Sequence, residues 1–238
     1  MNAPSFTVVI PIGPGEDSWP VLLEDLLALP FPFAIVFAAT SPCPARHAIK
    51  LTKAAAIRPV DWIHDCDTGR AAQMNHAAAV ARSDWLLFLH ADTRVTIDTW
   101  RALVESVNTS PMGLHYFNLH FDWNSWRMRL SEMGVRMRCR TWGMPYGDQG
   151  FAVKKTDFKN LGGFPLITPG EDHAFAWICH NAGMPIKCTG GSVTTSSRKY
   201  RDRGWGAVAL QHNLLGIKQA VYFRFLRPAR QRSDSRKP

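Results

Sequence analysis

Trp85-Leu86-Leu87-Phe88-Leu89-His90-Ala91-Asp92 is the stretch from which the fold is read. Five apolar residues in an unbroken run, with no helical or alternating period, are what a central strand covered on both faces looks like. The run stops at a carboxylate. Upstream, Phe6 to Ile12 is a β-branched strand closed by the Pro11, Gly13, Pro14, Gly15 turn, and Glu16 to Leu29 repeats apolar residues at helical spacing (Trp19, Leu22, Leu23, Leu26, Leu27). Phe33 to Ala38 and Ile57 to Ile63 read as further strands, and Thr68 to Ala81 as a small-residue helix opened by Asp67, Thr68 and Gly69. Strands alternating with helices predict an open, mostly parallel α/β sheet, wound right-handed, with helices on both faces and ligands gathered beyond the C-terminal strand ends.

Downstream the pattern changes. Leu114 to Phe121 and Gly150 to Lys154 read as strands, and Trp126 to Met137 and Glu171 to Asn181 as helices, the latter stopped by Gly183 and Pro185. A last helix from Trp205 to Phe225 is expected to carry Leu210, Leu214, Ile217, Val221 and Phe225 along one stripe. No linker divides the 238 residues, so one domain is expected over 1–226, followed by a basic, disordered tail over 227–238.

With 46% hydrophobic and 20% charged residues the chain is expected to be globular, and its formal net charge of +9 favours an anionic partner. No helix-turn-helix, zinc-finger or aromatic-basic sheet motif accompanies that charge, so nucleic acid is not the expected partner. Five cysteines (Cys43, Cys66, Cys139, Cys179, Cys188), none in a C-x-x-C pair, predict reduced thiols. With no signal peptide and no run of about 18 apolar residues, the expected location is cytoplasmic. For the C-terminal stripe and its arginines two readings stand: a helix packed on the core with a solvated tail, or peripheral contact with an anionic inner membrane surface.

Several segments can carry chemistry. Asp92, at a strand end, is placed either to bind a divalent cation, Mg²⁺ or Mn²⁺, or to cap the helix beginning near Thr96. Glu171 and Asp172 open a helix, as caps or with a general base among them. Asp148 and Gln149, in the glycine-bounded turn Pro145 to Gly150, suit either hydrogen bonding to a polyol or turn formation. Arg70, at the start of the small-residue helix, could receive an anion, and the basic run Ser197 to Arg203 could neutralise a diphosphate.

In order, these segments read Gly69-Arg70, Gln73-Met74-Asn75; Leu86 to Thr93; Pro145 to Gly150; Gly162 to Pro165; Glu171-Asp172; and Val193 to Ser196 with Arg198. The combination resembles bacterial members of glycosyltransferase family 2, in particular a small soluble subgroup, from about Gly69 to Phe223. The resemblance implies the GT-A fold, a nucleotide-sugar donor, an acceptor hydroxyl of unknown identity and a divalent cation. It makes Asp92 the metal ligand, with His90 in the first position of a D-x-D-like element, and Asp172 the acceptor-side base with Glu171 beside it. Donor binding then falls to Pro11, Glu16, Arg70, Asn75, His90, Arg198 and Arg201, and acceptor binding to Asp148 and Gln149. The N-terminal third departs from the family pattern: Glu16 is the only acid after the first strand, and Ala38-Ala39-Thr40-Ser41-Pro42 stands where an Asp-rich turn is usual. That departure motivates a competing reading, a nucleotide-sugar-binding protein with the same fold and no turnover.

Overall fold

The computed structural model describes residues 4–167, 169–209, 214, 216, 218 and 222. The C-terminal stripe beyond Ala209, apart from those isolated positions, and the tail 227–238 lie outside the described residues, and so do the readings attached to them. Residues 205–209 are helical. No helix among the described residues is long and apolar enough to cross a membrane.

In chain order the elements are β1 (Phe6–Ile12), α1 (Trp19–Leu27), β2 (Ala34–Ala39), α2 (Ala45–Ala55), β3 (Val60–Ile63), α3 (Arg70–Val80), β4 (Trp85–Phe88), α4 (Ile97–Thr109), β5 (Leu114–Phe121), α5 (Trp126–Trp142), β6 (Phe151–Lys154), α6 (Lys155–Asn160), α7 (Glu171–Asn181), β7 (Ile186–Thr195) and α8 (Arg198–Arg203). They build one seven-stranded sheet in the order β3-β2-β1-β4-β6-β5-β7. β1 pairs in parallel with β2 and β4, β2 with β3, and β5 with β7. Only β6 runs against its neighbours β4 and β5. The sheet is therefore open and mostly parallel, as the sequence predicts.

Burial on both faces follows from strand geometry. Successive side chains of β1 alternate, so Phe6, Val8, Ile10 and Ile12 join one core with Trp19, Leu22 and Leu26 of α1 and Trp100 and Leu103 of α4. Val9 joins the other, with Met74, Ala77 and Ala78 of α3 and Phe175 and Trp177 of α7. The small residues of α3 let that helix lie close to the sheet, which brings its N-terminus to the strand ends.

Several boundaries differ from expectation for local reasons. The helix expected from Glu16 starts at Trp19, with Pro20 in its first turn and the Ser18 N–H donating to Glu16 Oε1 at 2.8 Å. The strand expected from Ile57 starts at Val60, because the N–H groups of Ile57 and Arg58 both donate to Ala54 and close α2. α5 runs five residues beyond Met137, until Gly143 ends it at φ 62°. α2, α6 and β7 were not expected as elements, and the basic run after Ser197 is a short helix.

Candidate functional site

The ends of β1, β2 and β4 and the start of α3 converge on a cleft of about 550 Å³. Its floor is tied together by Gln73, whose buried amide donates to Ile12 O at 2.7 Å and Ala38 O at 2.8 Å, joining two strand ends through one side chain. Around it stand Pro11, Glu16, Arg70, His90, Asp92, Asp148, Asp172 and Arg198, eight of the residues singled out in the sequence. Asn75, Gln149, Glu171 and Arg201 are not among the residues lining it. Asn75 fastens the chain after α6, donating to Phe164 O at 2.8 Å and accepting from Phe164 N–H at 2.9 Å. Gln149 is buried, donates to Phe117 O at 3.0 Å and accepts from Tyr146 N–H at 3.1 Å, so it builds the turn that presents Asp148. Arg201 stands 3.7 Å from Asp122, which also receives the Ser197 N–H at 2.8 Å and so anchors α8. In its place Lys199 and Arg203 line the cleft.

An ion-pair network forms part of the cleft wall, with Glu171 buried and Arg70 partly exposed. Arg70 Nε donates to Glu171 Oε1 at 2.5 Å, and its Nη1 lies 3.0 Å from His90 Nε2. A guanidinium can only donate, so His90 Nε2 accepts and the imidazole is neutral with its proton on Nδ1. Burial and then the Arg70 charge push the His90 pKa down, in agreement with that tautomer. The Nε2 lone pair of His90 is thus used within the protein.

Asp92 does not cap α4. Thr96 does, through a reciprocal arrangement in which its hydroxyl accepts from Thr99 N–H at 3.3 Å and its own N–H donates to the Thr99 hydroxyl at 3.1 Å. Nor do Glu171 and Asp172 cap α7, whose N-cap is Gly170 in the left-handed region. One residue apart on a helix, the two carboxylates point in different directions. Glu171 turns inward to Arg70, and Asp172 turns to the cleft, where Oδ2 accepts from Gly147 N–H at 2.6 Å and Oδ1 from His173 N–H at 2.8 Å. Gly147 is required for this approach: a Cβ there would lie 2.9 Å from Asp172 Cβ and would collide with Oδ2.

The three cleft carboxylates differ in proton affinity. Burial raises Asp172, but the Arg70 charge and the two backbone amides outweigh it and hold the carboxyl below its ordinary range. Burial raises Asp92, with Glu16 adding to the rise and Lys199 opposing it. Asp148 is pushed up to about 6, by burial first, with Asp172 and Asp92 adding repulsion against the attraction of Arg138. Its buried Oδ1 has no hydrogen-bond partner. An orphaned carboxylate oxygen and a raised Asp92 in one cleft fit a hard divalent cation, which takes oxygen ligands and is often held by one or two carboxylates plus substrate phosphates. Among the described residues no group of three or more His, Cys, Asp or Glu could hold a metal ion.

Residues 62–164 match the family model described as Glycosyl transferase family 2, a span that includes α3, β4 and the Asp148 turn. A comparison with curated protein sequences gives no match. Among solved structures, a mannosyltransferase from Pyrobaculum calidifontis in complex with GDP-Man and Mn²⁺ is similar with a TM-score of 0.69 and 16% identity, over 94% of this chain and 71% of that one. S. aureus TarS 1–349 in complex with UDP-GlcNAc is similar at 0.61 and 13% identity, over 81% of this chain, which spans only 58% of the TarS chain. GalNAc-T7 with UDP, GalNAc and Mn²⁺ follows at 0.60 and 14%, over 82% of this chain and 44% of that one. At these identities the likeness establishes the fold, which is of the GT-A type.

Proposed function

We propose that this chain, a family 2-type glycosyltransferase by its match over residues 62–164 and by its fold, moves a sugar from a nucleotide-sugar donor to an acceptor hydroxyl. One domain over 1–226 carries the reaction. The observation that supports it most is the convergence, in one cleft at the strand ends, of an ionised Asp172, an orphaned Asp148 and a raised Asp92 beside the cationic side chains of Arg70, Arg198 and Lys199.

In this reading the diphosphate of the donor lies against Arg198 and Lys199 at the start of α8, with Glu16, 3.9 Å from Arg198, orienting that side chain. Asp92 is the protein ligand for Mn²⁺ or Mg²⁺, which supplies charge neutralisation for the leaving diphosphate when bound. Asp148 accepts from a neighbouring hydroxyl of the acceptor, and the reacting hydroxyl presents its proton to Asp172. Each Asp172 oxygen accepts one backbone N–H and keeps a further lone pair for the proton. As the acceptor oxygen bonds to the anomeric carbon, its proton passes to Asp172 and the sugar–phosphate bond breaks with its electron pair on the diphosphate. Attack from the side opposite the leaving group inverts the anomeric centre. Arg70 holds Asp172 ionised and Glu171 holds Arg70, so Glu171 is a positioning residue.

A panel of UDP- and GDP-sugars, each with and without Mn²⁺, tests the reading through protection against thermal unfolding followed by sugar release. At least one donor should protect in a Mn²⁺-dependent manner that Asp92→Asn removes, and release should fall roughly 10²- to 10⁴-fold in Asp172→Asn with protection retained. Protection by none of the donors would refute the proposal. Protection without release in the wild type would mark a binding protein instead.

A further inference from the structure

α5 is amphipathic twice over. Its inward side, at Met128, Glu132, Val135 and Cys139, packs on the sheet: Met128 and Cys139 are buried, and Glu132 accepts from Phe121 N–H at 2.9 Å and faces His120 at 3.2 Å. At 3.6 residues per turn the side directly opposite carries Trp126, Leu130, Met133 and Met137, spaced by four, three and four residues. These are 67%, 42%, 60% and 63% exposed. Trp205 meets one end of this stripe, its ring 6.1 Å from that of Trp126, and the rest of the stripe, opposite the buried face of the same helix, faces water and does nothing for the core.

Arginines flank that stripe on both sides. Arg129, Arg136 and Arg140 form one row, and Arg127 stands on the other side, packed over the Trp126 ring at 5.5 Å, whereas Arg138 is turned inward to Met144 O at 3.0 Å and over the Tyr146 ring at 3.5 Å. Glu132, the only acid in the helix, is turned inward. A second copy docking about a twofold axis would set arginine row against arginine row. What matches an apolar stripe bordered by cations is a surface with an acyl interior beneath anionic headgroups.

We propose that the outward stripe of α5 seats this protein on an anionic phospholipid bilayer. Trp126, Leu130, Met133 and Met137 enter the boundary between headgroups and acyl chains, and the flanking arginines meet lipid phosphates. α5 ends at Trp142, and the turn that follows carries Tyr146 and Asp148 into the cleft, so the seat lies one helix end from the cleft wall. Docking rests on this helix and not on the reaction, and binding is measured independently of turnover.

The full chain should co-sediment with vesicles of phosphatidylcholine and phosphatidylglycerol in equal parts, and at least about tenfold less with phosphatidylcholine alone. Met133→Glu/Met137→Glu should lose roughly tenfold or more of that binding while its circular dichroism and thermal midpoint stay as in the wild type. Arg129→Gln/Arg136→Gln/Arg140→Gln, which leaves the stripe intact, should lose about fivefold per arginine and with it most of the preference for the anionic lipid. The proposal is overturned if the wild type ignores anionic vesicles, or if both variants bind them as the wild type does. It is also overturned if sedimentation velocity without lipid shows a dimer that the methionine variant abolishes while vesicle binding persists.

Discussion

Replacing Arg70 by methionine isolates what the buried network contributes. The change keeps an unbranched apolar stem about as long as the aliphatic part of arginine and removes the guanidinium, so Glu171, 1% exposed, keeps its negative charge and a hydrogen bond from the Gly170 N–H at 3.0 Å. Breaking a buried pair from one side costs about 3–5 kcal/mol. The Arg70 side chain is 38% exposed, which admits water to one edge of the pair and sets the expectation near the lower end, about 3 kcal/mol. For a chain of this size that is roughly 6–12 °C in thermal midpoint. Arg70→Met/Glu171→Gln removes the stranded charge as well and should recover most of the loss, leaving about 1 kcal/mol and a coupling of about 2 kcal/mol. Urea unfolding of the wild type, both single variants and the double variant measures the cycle. A cost below about 1 kcal/mol for Arg70→Met, or a double variant as unstable as the summed singles, would refute the claim that Glu171 depends on Arg70.

Asp148 should make stability fall as pH rises. Its folded carboxyl sits at about 6 against 3.8 ordinarily, so the native state holds the proton more tightly than the unfolded chain, and that advantage disappears between about pH 4 and pH 6. Asp148→Asn should therefore gain about 1–3 kcal/mol relative to the wild type between acid and neutral pH in parallel urea titrations; a pH-independent difference would contradict the assignment. Gly147→Ala should cost about 1–3 kcal/mol by forcing the Asp172 carboxylate off the backbone. Gly143→Ala, with φ 62° and open space around it, should cost only about 1 kcal/mol, as thermal melts of the pair will show.

The parts of the fold that sequence reveals are those whose signal is local. β1, β5 and α7 run where their residues predict, because β-branched or apolar runs end there at proline, glycine or a change of period. β7 escapes because it is only partly buried and passes through Gly190 and Gly191, which erases the alternation of a half-buried strand. α2 buries only Ala54 and leaves Ile49 exposed, so no large, fully buried apolar residue marks it. α8 consists almost entirely of charged residues and is anchored by Asp122, 75 positions upstream of Ser197. Within the site, residue types at strand ends and helix starts locate Asp92, Asp148 and Asp172. The division of labour between Glu171 and Asp172 depends on Arg70, 101 residues away from Glu171, and no local pattern carries it.

In the proposed reaction the inward turn of Glu171 has a consequence for turnover. If Arg70 were balanced by Asp172 alone, each proton that Asp172 accepted would leave a cation in the wall without a counter-ion, and the side chain would swing with every cycle. Glu171 supplies a permanent counter-charge at 2.5 Å. Arg70 therefore keeps its place whether Asp172 is charged or neutral, and the geometry around the reacting proton returns to its starting point without repacking.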